Sequence, residues 1–441
     1  MTDEHRPSPA LRSRPREMSM AHFHVRMTGL FLLVLLVGVA GGLLVGRATY
    51  GADANADASF SDLDAVTGVL TENYYYRPTD DGEREGFVDS LEQNAISGML
   101  TSLNDDYTRY LLPADAQVAA EQLEGEYGGI GVTLRSVDGL VSVARVGPDT
   151  PASRVGIRAG DLVERIDNRP VGSITENLDG IDLRGPVGST VSLTVVHYPA
   201  SMSTQIAVQR EAIIVHPVAW EMIPDTDYMR IEIDIFGDRT TQELDEAIAI
   251  AVANDAAGIV LDLRGNGGGW VGAAQETIGR FLDDDVGPAM YEDASPARGG
   301  ATELPIINGE TAPVDLPLIV LVDGNTASAA EIVAGSLRDY DRALVVGEPT
   351  FGKGSVQRIF DFQDGASLRV TVAEWFTPSR GRIQDDGIRP DVLLTTDENA
   401  TGAGDLFVLT ATSFLDSGKS RPTDLALVEP AAAAATPTPS P

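Results

Sequence analysis

The chain of 441 residues contains no cysteine, which excludes disulfides, thiol catalysis and cysteine-ligated zinc. Histidine is nearly as scarce. Of His5, His22, His24, His197 and His216, only the last two lie beyond residue 46, and neither stands in a glycine- or acid-rich constellation. A Ser-His-Asp triad is therefore poorly supplied, and metal hydrolysis lacks a His-Glu-x-x-His pair. The most telling shortage is lysine: against 30 arginines there are only Lys353 and Lys419.

A composition that gives almost every permanent cation to arginine leaves for lysine the one task guanidinium cannot perform, the loss of a proton. Lys353 lies between Gly352 and Gly354. Desolvated there, its amine titrates toward neutral pH and can serve as a general base. The acid for it to act on is Ser328, which lies 25 residues upstream, after the apolar run 318–322 and before the apolar run 332–337. That order reads as strand, tight turn and helix, with the serine at the mouth of a sheet and a helix N-terminus beneath it. Taken singly, such a serine is commonly an N-cap, and a glycine-flanked lysine is commonly a solvated loop residue. If residues 353–360 form a strand, Lys353, Ser355 and Gln357 share a face, and the Gln357 amide orients the amine.

A third element is the apolar stretch 258–263 running into Gly265-Asn266-Gly267-Gly268-Gly269, whose backbone N–H groups can converge on a developing anion. The spacing Gly267-x-Gly269-x-x-Gly272 also fits a dinucleotide fingerprint, a weak signal, and no Gly-Lys-Ser/Thr of a phosphate loop follows. Together, 261–269, the Ser328 turn, 347–354 and Thr377-Pro378-Ser379 resemble the C-terminal processing, or tail-specific, serine peptidases of family S41 with a Ser-Lys dyad. The likeness extends upstream to 98–111 and covers roughly residues 60–415. It implies Ser328 as nucleophile, Lys353 as general base and Gln357 as the residue that positions the lysine. It also implies an oxyanion hole from the N–H groups of Gly268 and Ala329. Two departures stand out: the glycine loop replaces a common Asn-Asn-Pro-Gly-Gly, and Thr326 and Ala330 replace serines flanking the nucleophile.

Between 125 and 210, short Val, Ile and Leu runs alternate with Gly, Pro and Asp turns, a β pattern. Gly128-Gly129-Ile130-Gly131-Val132, followed by Pro151-Ala152 and Gly160-Asp161-Leu162, resembles a PDZ domain. Gly129, Ile130, Gly131 and Val132 would then hold a terminal carboxylate while a substrate's nonpolar tail adds a strand.

The N-terminus sets the compartment. Residues 28–46 form a 19-residue uncharged apolar run between Arg26 and Arg47, and residues 1–27 carry five arginines against three acids. This reads as a single transmembrane helix in the inner (cytoplasmic) membrane, with a cytoplasmic N-terminus and an extracytoplasmic catalytic part. The competing reading is a cleaved signal peptide ending near Ala54-Asn55-Ala56, giving a secreted form. An exported domain has no access to nicotinamide or ATP pools, so no cofactor is expected, and the lack of cysteine and of a His-Glu-x-x-His pair means that no metal is expected. The whole chain carries −34, which argues against nucleic acid as a partner.

The expected organisation is a basic tail at 1–27, anchor at 28–46, spacer at 47–62, helical region at 63–117, PDZ domain at 118–210, peptidase core at 211–418 and a disordered tail at 419–441. The fold class is an α/β protease core, a mixed sheet with flanking helices, carrying an inserted PDZ domain rich in β-structure and an N-terminal helical unit. The resemblance implies that the helical unit pairs protomers into a homodimer. The function expected is a membrane-anchored serine endopeptidase acting on protein or peptide substrates with nonpolar C-terminal tails. The alternative is an inactive PDZ scaffold that binds such tails and cuts nothing.

Overall fold

The computed structural model describes residues 48–49, 61–137, 140–171, 183–197, 202–294, 300–310, 313–395 and 405–426. Among these no helix is long and apolar enough to cross a membrane. The expected anchor at 28–46 and the basic tail before it lie outside the described residues.

The described chain opens with β1 (Ala48–Thr49), then helices α1 (Ser61–Asn73) and α2 (Asp81–Thr101), strand β2 (Arg109–Leu111) and α3 (Pro113–Glu124). Asp80 caps α2 by accepting hydrogen bonds from the Gly82 and Glu83 N–H groups. No residue of α2 is buried, and Val66, Val69 and Tyr75 stand exposed beside it. Helix α3 crosses the boundary expected at 117/118 and ends at Gly125, in the left-handed conformation.

A two-stranded ladder, β3 (Glu126–Gly129) with β10 (Glu211–Ile214), joins the insert to the core as a neck. Between them lie β4 (Val132–Val137), β5 (Leu140–Val146), α4 (Pro151–Arg154), β6 (Leu162–Ile166), β7 (Arg169–Pro170), β8 (Thr190–Val196) and β9 (Ser203–Gln209). The sheet runs β4-β5-β6-β8-β9 with β7 on β6. Val191, Leu193 and Val195 alternate inward along β8 and pack with Ile130, Val143, Ile157 and Val208 in a core separate from that of the rest.

The remainder runs β11 (Val218–Met222), β12 (Tyr228–Ile233), α5 (Thr240–Ala253), β13 (Gly258–Asp262), α6 (Val271–Ile278), β14 (Pro288–Ala294), β15 (Ala301–Pro305), β16 (Leu318–Val322), α7 (Ala329–Asp339), β17 (Leu344–Gly347), β18 (Ser355–Asp361), β19 (Ser367–Phe376), β20 (Val392–Leu393), α8 (Leu406–Asp416) and α9 (Pro422–Ala426). One sheet, β11-β12-β13-β16-β17-β20, is parallel except for the β11–β12 pair. All five residues of β16 are buried because both faces are covered. Leu318, Val320 and Val322 meet helices α5 to α7, while Ile319 and Leu321 meet Phe407, Ala411 and Leu415 of α8. A second sheet, β1-β18-β19-β14-β15 with β2 on β19, stands beside the first.

The glycine- and proline-bearing stretch 286–317 contains the β14–β15 hairpin, and β14 also pairs with β19, distant in sequence. One expectation changes. The tail expected to be disordered from 419 onward stays docked as far as Ala426: Ser420 O accepts from Leu344 N, and Asp341 receives both the N–H and the hydroxyl of Thr423. Residues 427–441 lie outside the described residues.

Candidate active site

Ser328 stands where β16 passes into α7, at φ 56° and ψ −118°, a conformation that costs a non-glycine residue about 1–3 kcal/mol. The elbow is over-determined by its surroundings. Asp323 Oδ1 accepts hydrogen bonds from the N–H groups of Gly265, Asn325 and Thr326 at 3.0 Å each, tying the serine turn to the glycine loop. Thr326 Oγ1 donates to Leu263 O, and Ala327 N to Asn266 O. Ala329 is the first residue of α7, so its N–H has no acceptor within the helix and lies next to the serine.

The glycine loop is anchored by charge at its base. Asp262, 1% exposed, accepts from Arg230 and Arg264, and Arg264 continues to Asp405 while lying over the Phe407 ring. Higher in the loop, buried Asn266 donates to Ile233 O and accepts from Gly268 N at 2.8 Å. The N–H expected to face the oxyanion is thus held by a side chain of its own loop. Gly268 nonetheless touches the serine: at φ 105°, a Cβ placed on it would lie 2.7 Å from Ser328 Cβ and 3.0 Å from Ala329 N. Gly268→Ala is therefore expected to lower kcat/KM by about a hundredfold or more while costing roughly 1–3 kcal/mol of stability. Parallel turnover and thermal unfolding measurements check this, and near-parental turnover would contradict it.

Glu331 went unrecognised in the sequence, and it links the two candidate catalytic residues. Fully buried on the first turn of α7, its Oε2 accepts from Ser328 N at 2.8 Å and from Lys353 N at 2.9 Å. Its Oε1 accepts from Gly352 N at 2.8 Å and from the Thr350 hydroxyl. Burial pushes its carboxyl up from the usual value, against the pull of those donors. The signal that could have revealed it is the Ser-x-x-Glu capping spacing.

Lys353 lies on the loop from β17 to β18, which joins the two sheets. Trp375 Nε1 donates to its carbonyl, and Gly354 N donates to Gln384. Burial holds its ammonium below the usual lysine value, helped by the guanidinium groups of Arg369 and Arg109, with Glu331 acting the other way. Its Nζ sits 5.3 Å from the centre of the Tyr107 ring. Among the described residues no hydrogen bond joins Lys353 Nζ to Ser328 Oγ.

Gln357 differs from expectation. Its Nε2 donates to Ser355 Oγ at 2.8 Å and to Thr371 Oγ1 at 3.4 Å, and among the described residues no hydrogen bond joins it to the lysine amine. The reason is that β18 begins only at Ser355, leaving Lys353 on the preceding loop, and its register against β19 shifts between Val356 and Gln357. The shared face inferred from alternation therefore does not extend back to 353.

In the insert, Ile130 is buried in its core, and its carbonyl accepts from Ala152 N. Gly131 has φ 75° and lies against Thr150, where no Cβ would fit. Val132 begins β4, the terminal strand of its sheet, so Gly129 to Val132 lead directly onto an edge to which an extended peptide can add.

Sequence comparisons with known families agree with this division into two units. The profile described as Peptidase family S41 matches residues 227–394, and the profile of the PDZ domain matches 128–208. A carboxy-terminal-processing protease of Bartonella bacilliformis is 33% identical over 312 residues, covering 69% of each chain. The carboxy-terminal processing protease CtpA of Bacillus subtilis is 31% identical over 373 residues, 83% of this chain and 77% of its own. Among solved structures, the photosystem II D1 C-terminal processing protease shares 28% identity over 76% of this chain and 86% of its own, at a TM-score of 0.39.

Proposed function

The chain belongs to the carboxy-terminal processing serine proteases of peptidase family S41 and carries a PDZ domain, and from that membership we propose a membrane-anchored, extracytoplasmic endopeptidase with a Ser328–Lys353 dyad. The observation that carries the reading is the single carboxylate of Glu331, one oxygen of which accepts from both the Ser328 and Lys353 N–H groups. The neutral amine of Lys353 takes the Ser328 proton as the hydroxyl attacks a peptide carbonyl. The resulting ammonium then returns a proton to the leaving amine, and water repeats the cycle on the acyl-enzyme.

Two rearrangements accompany substrate binding in this reading. Nζ leaves the Tyr107 ring for Ser328 Oγ, as catalytic hydrogen bonds commonly tighten only in the substrate complex. Gly268 N–H leaves Asn266 and joins Ala329 N–H around the oxyanion. Gln357 acts at one remove, through the hydroxyls of Ser355 and Thr371.

The PDZ domain captures a nonpolar C-terminal tail through residues 129–132 and presents a nearby bond to Ser328. The anchor is the apolar run 28–46, which holds the catalytic part outside the inner membrane. The exposed Val66, Val69 and Tyr75 of the helical unit support pairing with a second copy. The test is cleavage of an unfolded protein ending in an apolar tail, with a tail-less version and Ser328→Ala as controls. Cleavage of the tailed protein should exceed that of the tail-less one at least tenfold, and Ser328→Ala should abolish it. Equal cleavage of both proteins would remove the tail-capture step, and equal cleavage by Ser328→Ala would remove the nucleophile.

A further inference from the structure

Arg369 is an anomaly in this acidic chain. Arg230, Arg264 and Arg280 each lie against a carboxylate. Arg369 instead has a buried Nε with no hydrogen-bond partner, and among the described residues no carboxylate lies within ion-pair distance of it. Arg369 is only half-buried, but a charge with a buried, unpaired Nε still costs free energy, so its retention calls for a reason. Directly opposite it across the β2–β19 ladder is Arg109, whose Nε is spent on the Asp106 carbonyl. Two residues along β19, on the same face, Thr371 receives the Gln357 amide. Two residues before Arg109, Tyr107 lies under Lys353 Nζ. Through these strands a second and a third positive charge bear on the amine that must lose its proton.

We propose that Arg369, seconded by Arg109, is a positioning residue that acts electrostatically through Lys353, its unpaired charge adding to the effect of burial on the amine. The proposal rests on the reading of Lys353 as general base. The groups facing Nζ divide cleanly. The Tyr107 ring and the Glu331 carboxylate favour the ammonium, with Asp106 and Asp385 bearing on Tyr107. Burial opposes it most strongly, and Arg369 from β19 and Arg109 from β2 add to burial, so that the balance falls below the usual lysine value. Arginine suits this role because it stays charged while its neighbour titrates.

The test is the pH dependence of kcat/KM for the full chain on a tailed peptide, comparing the parent with Arg369→Gln, Arg369→Lys and Arg109→Gln, and with Lys353→Ala as control. Activity requires the free amine, so the acid limb rises as Lys353 deprotonates. Removing a positive neighbour moves that limb to higher pH. Arg369→Gln should show this displacement, with a loss of roughly threefold to tenfold at pH 7 that is recovered on the alkaline side. Arg109→Gln, being exposed, should show a smaller displacement that fades at about 1 M salt. Arg369→Lys should keep the parental limb. An acid limb unmoved in Arg369→Gln, whether activity is intact or lowered at every pH, overturns the proposal. If Arg369→Gln does not fold, an unmoved limb in Arg109→Gln overturns it. An active Lys353→Ala would instead sink the base assignment and this proposal with it, which keeps the two failures apart.

Discussion

Lys353→Arg is expected to be as inactive as Ser328→Ala, each lowering kcat/KM by roughly a thousandfold or more. The substitution preserves the positive charge and most of the length and removes one property, the ability to be neutral at working pH. A lysine serving only as a surface cation or an ion-pair partner would tolerate the exchange well. The location argues against such a role: burial holds the Lys353 ammonium below its usual value, and two guanidinium groups add to that pressure. The sign for activity follows. The parent's kcat/KM should rise with pH through a limb lying below the ordinary lysine range, whereas the arginine variant should show no such limb. Unfolding curves and tail binding by the PDZ domain, both expected to be near parental, separate loss of chemistry from loss of fold. Near-normal turnover by Lys353→Arg would remove the dyad.

How much of this was legible in the sequence depends on whether a feature is local. The uninterrupted apolar run at 318–322 signals a strand buried on both faces, and it lies at the centre of the parallel sheet. The serine after it and the helix beyond are equally local, and the turn is found where strand and helix periods meet. By contrast, the β14–β15 hairpin depends on β19, about 80 residues further along, a pairing that periodicity cannot reveal. The same limit applies in the site. Alternation predicts a face shared by residues 353 and 357, but the strand starts later and slips register, so the Gln357 amide rests on Ser355 and Thr371. A glycine loop advertises N–H donors without saying that Asn266 engages one of them. Glu331 and Arg369 went unseen for a related reason. Their meaning lies in what surrounds them, four donors around one and no acceptor for the Nε of the other, and both conditions exist only after distant strands have come together.

Glu331→Gln should therefore have an effect out of proportion to the change of one atom. The carboxylate accepts from two donors at each oxygen: Ser328 N and Lys353 N on Oε2, and Gly352 N and the Thr350 hydroxyl on Oε1. Glutamine keeps the volume but turns one oxygen into a donor, which must then face two N–H groups or face Gly352 N and Thr350. Thr350, whose oxygen already accepts from Ile388 N at 2.7 Å, can take the amide on its second lone pair only by turning its own proton away from position 331. In either orientation at least one backbone N–H loses its acceptor and is left opposed to a donor, a cost of about 1–3 kcal/mol. Part of that is relieved by movement of the 350–354 loop away from α7, which keeps Lys353 from reaching the serine. The expected result is a loss of roughly a hundredfold or more in kcat/KM, mostly in kcat, together with a lower unfolding midpoint, while PDZ tail binding stays intact because that core is separate. Glu331→Ala leaves the same donors unpaired without the opposing amide, so its turnover should be no worse than that of Glu331→Gln. Parental turnover in both variants would mean that Ser328 and Lys353 hold their places without the shared carboxylate.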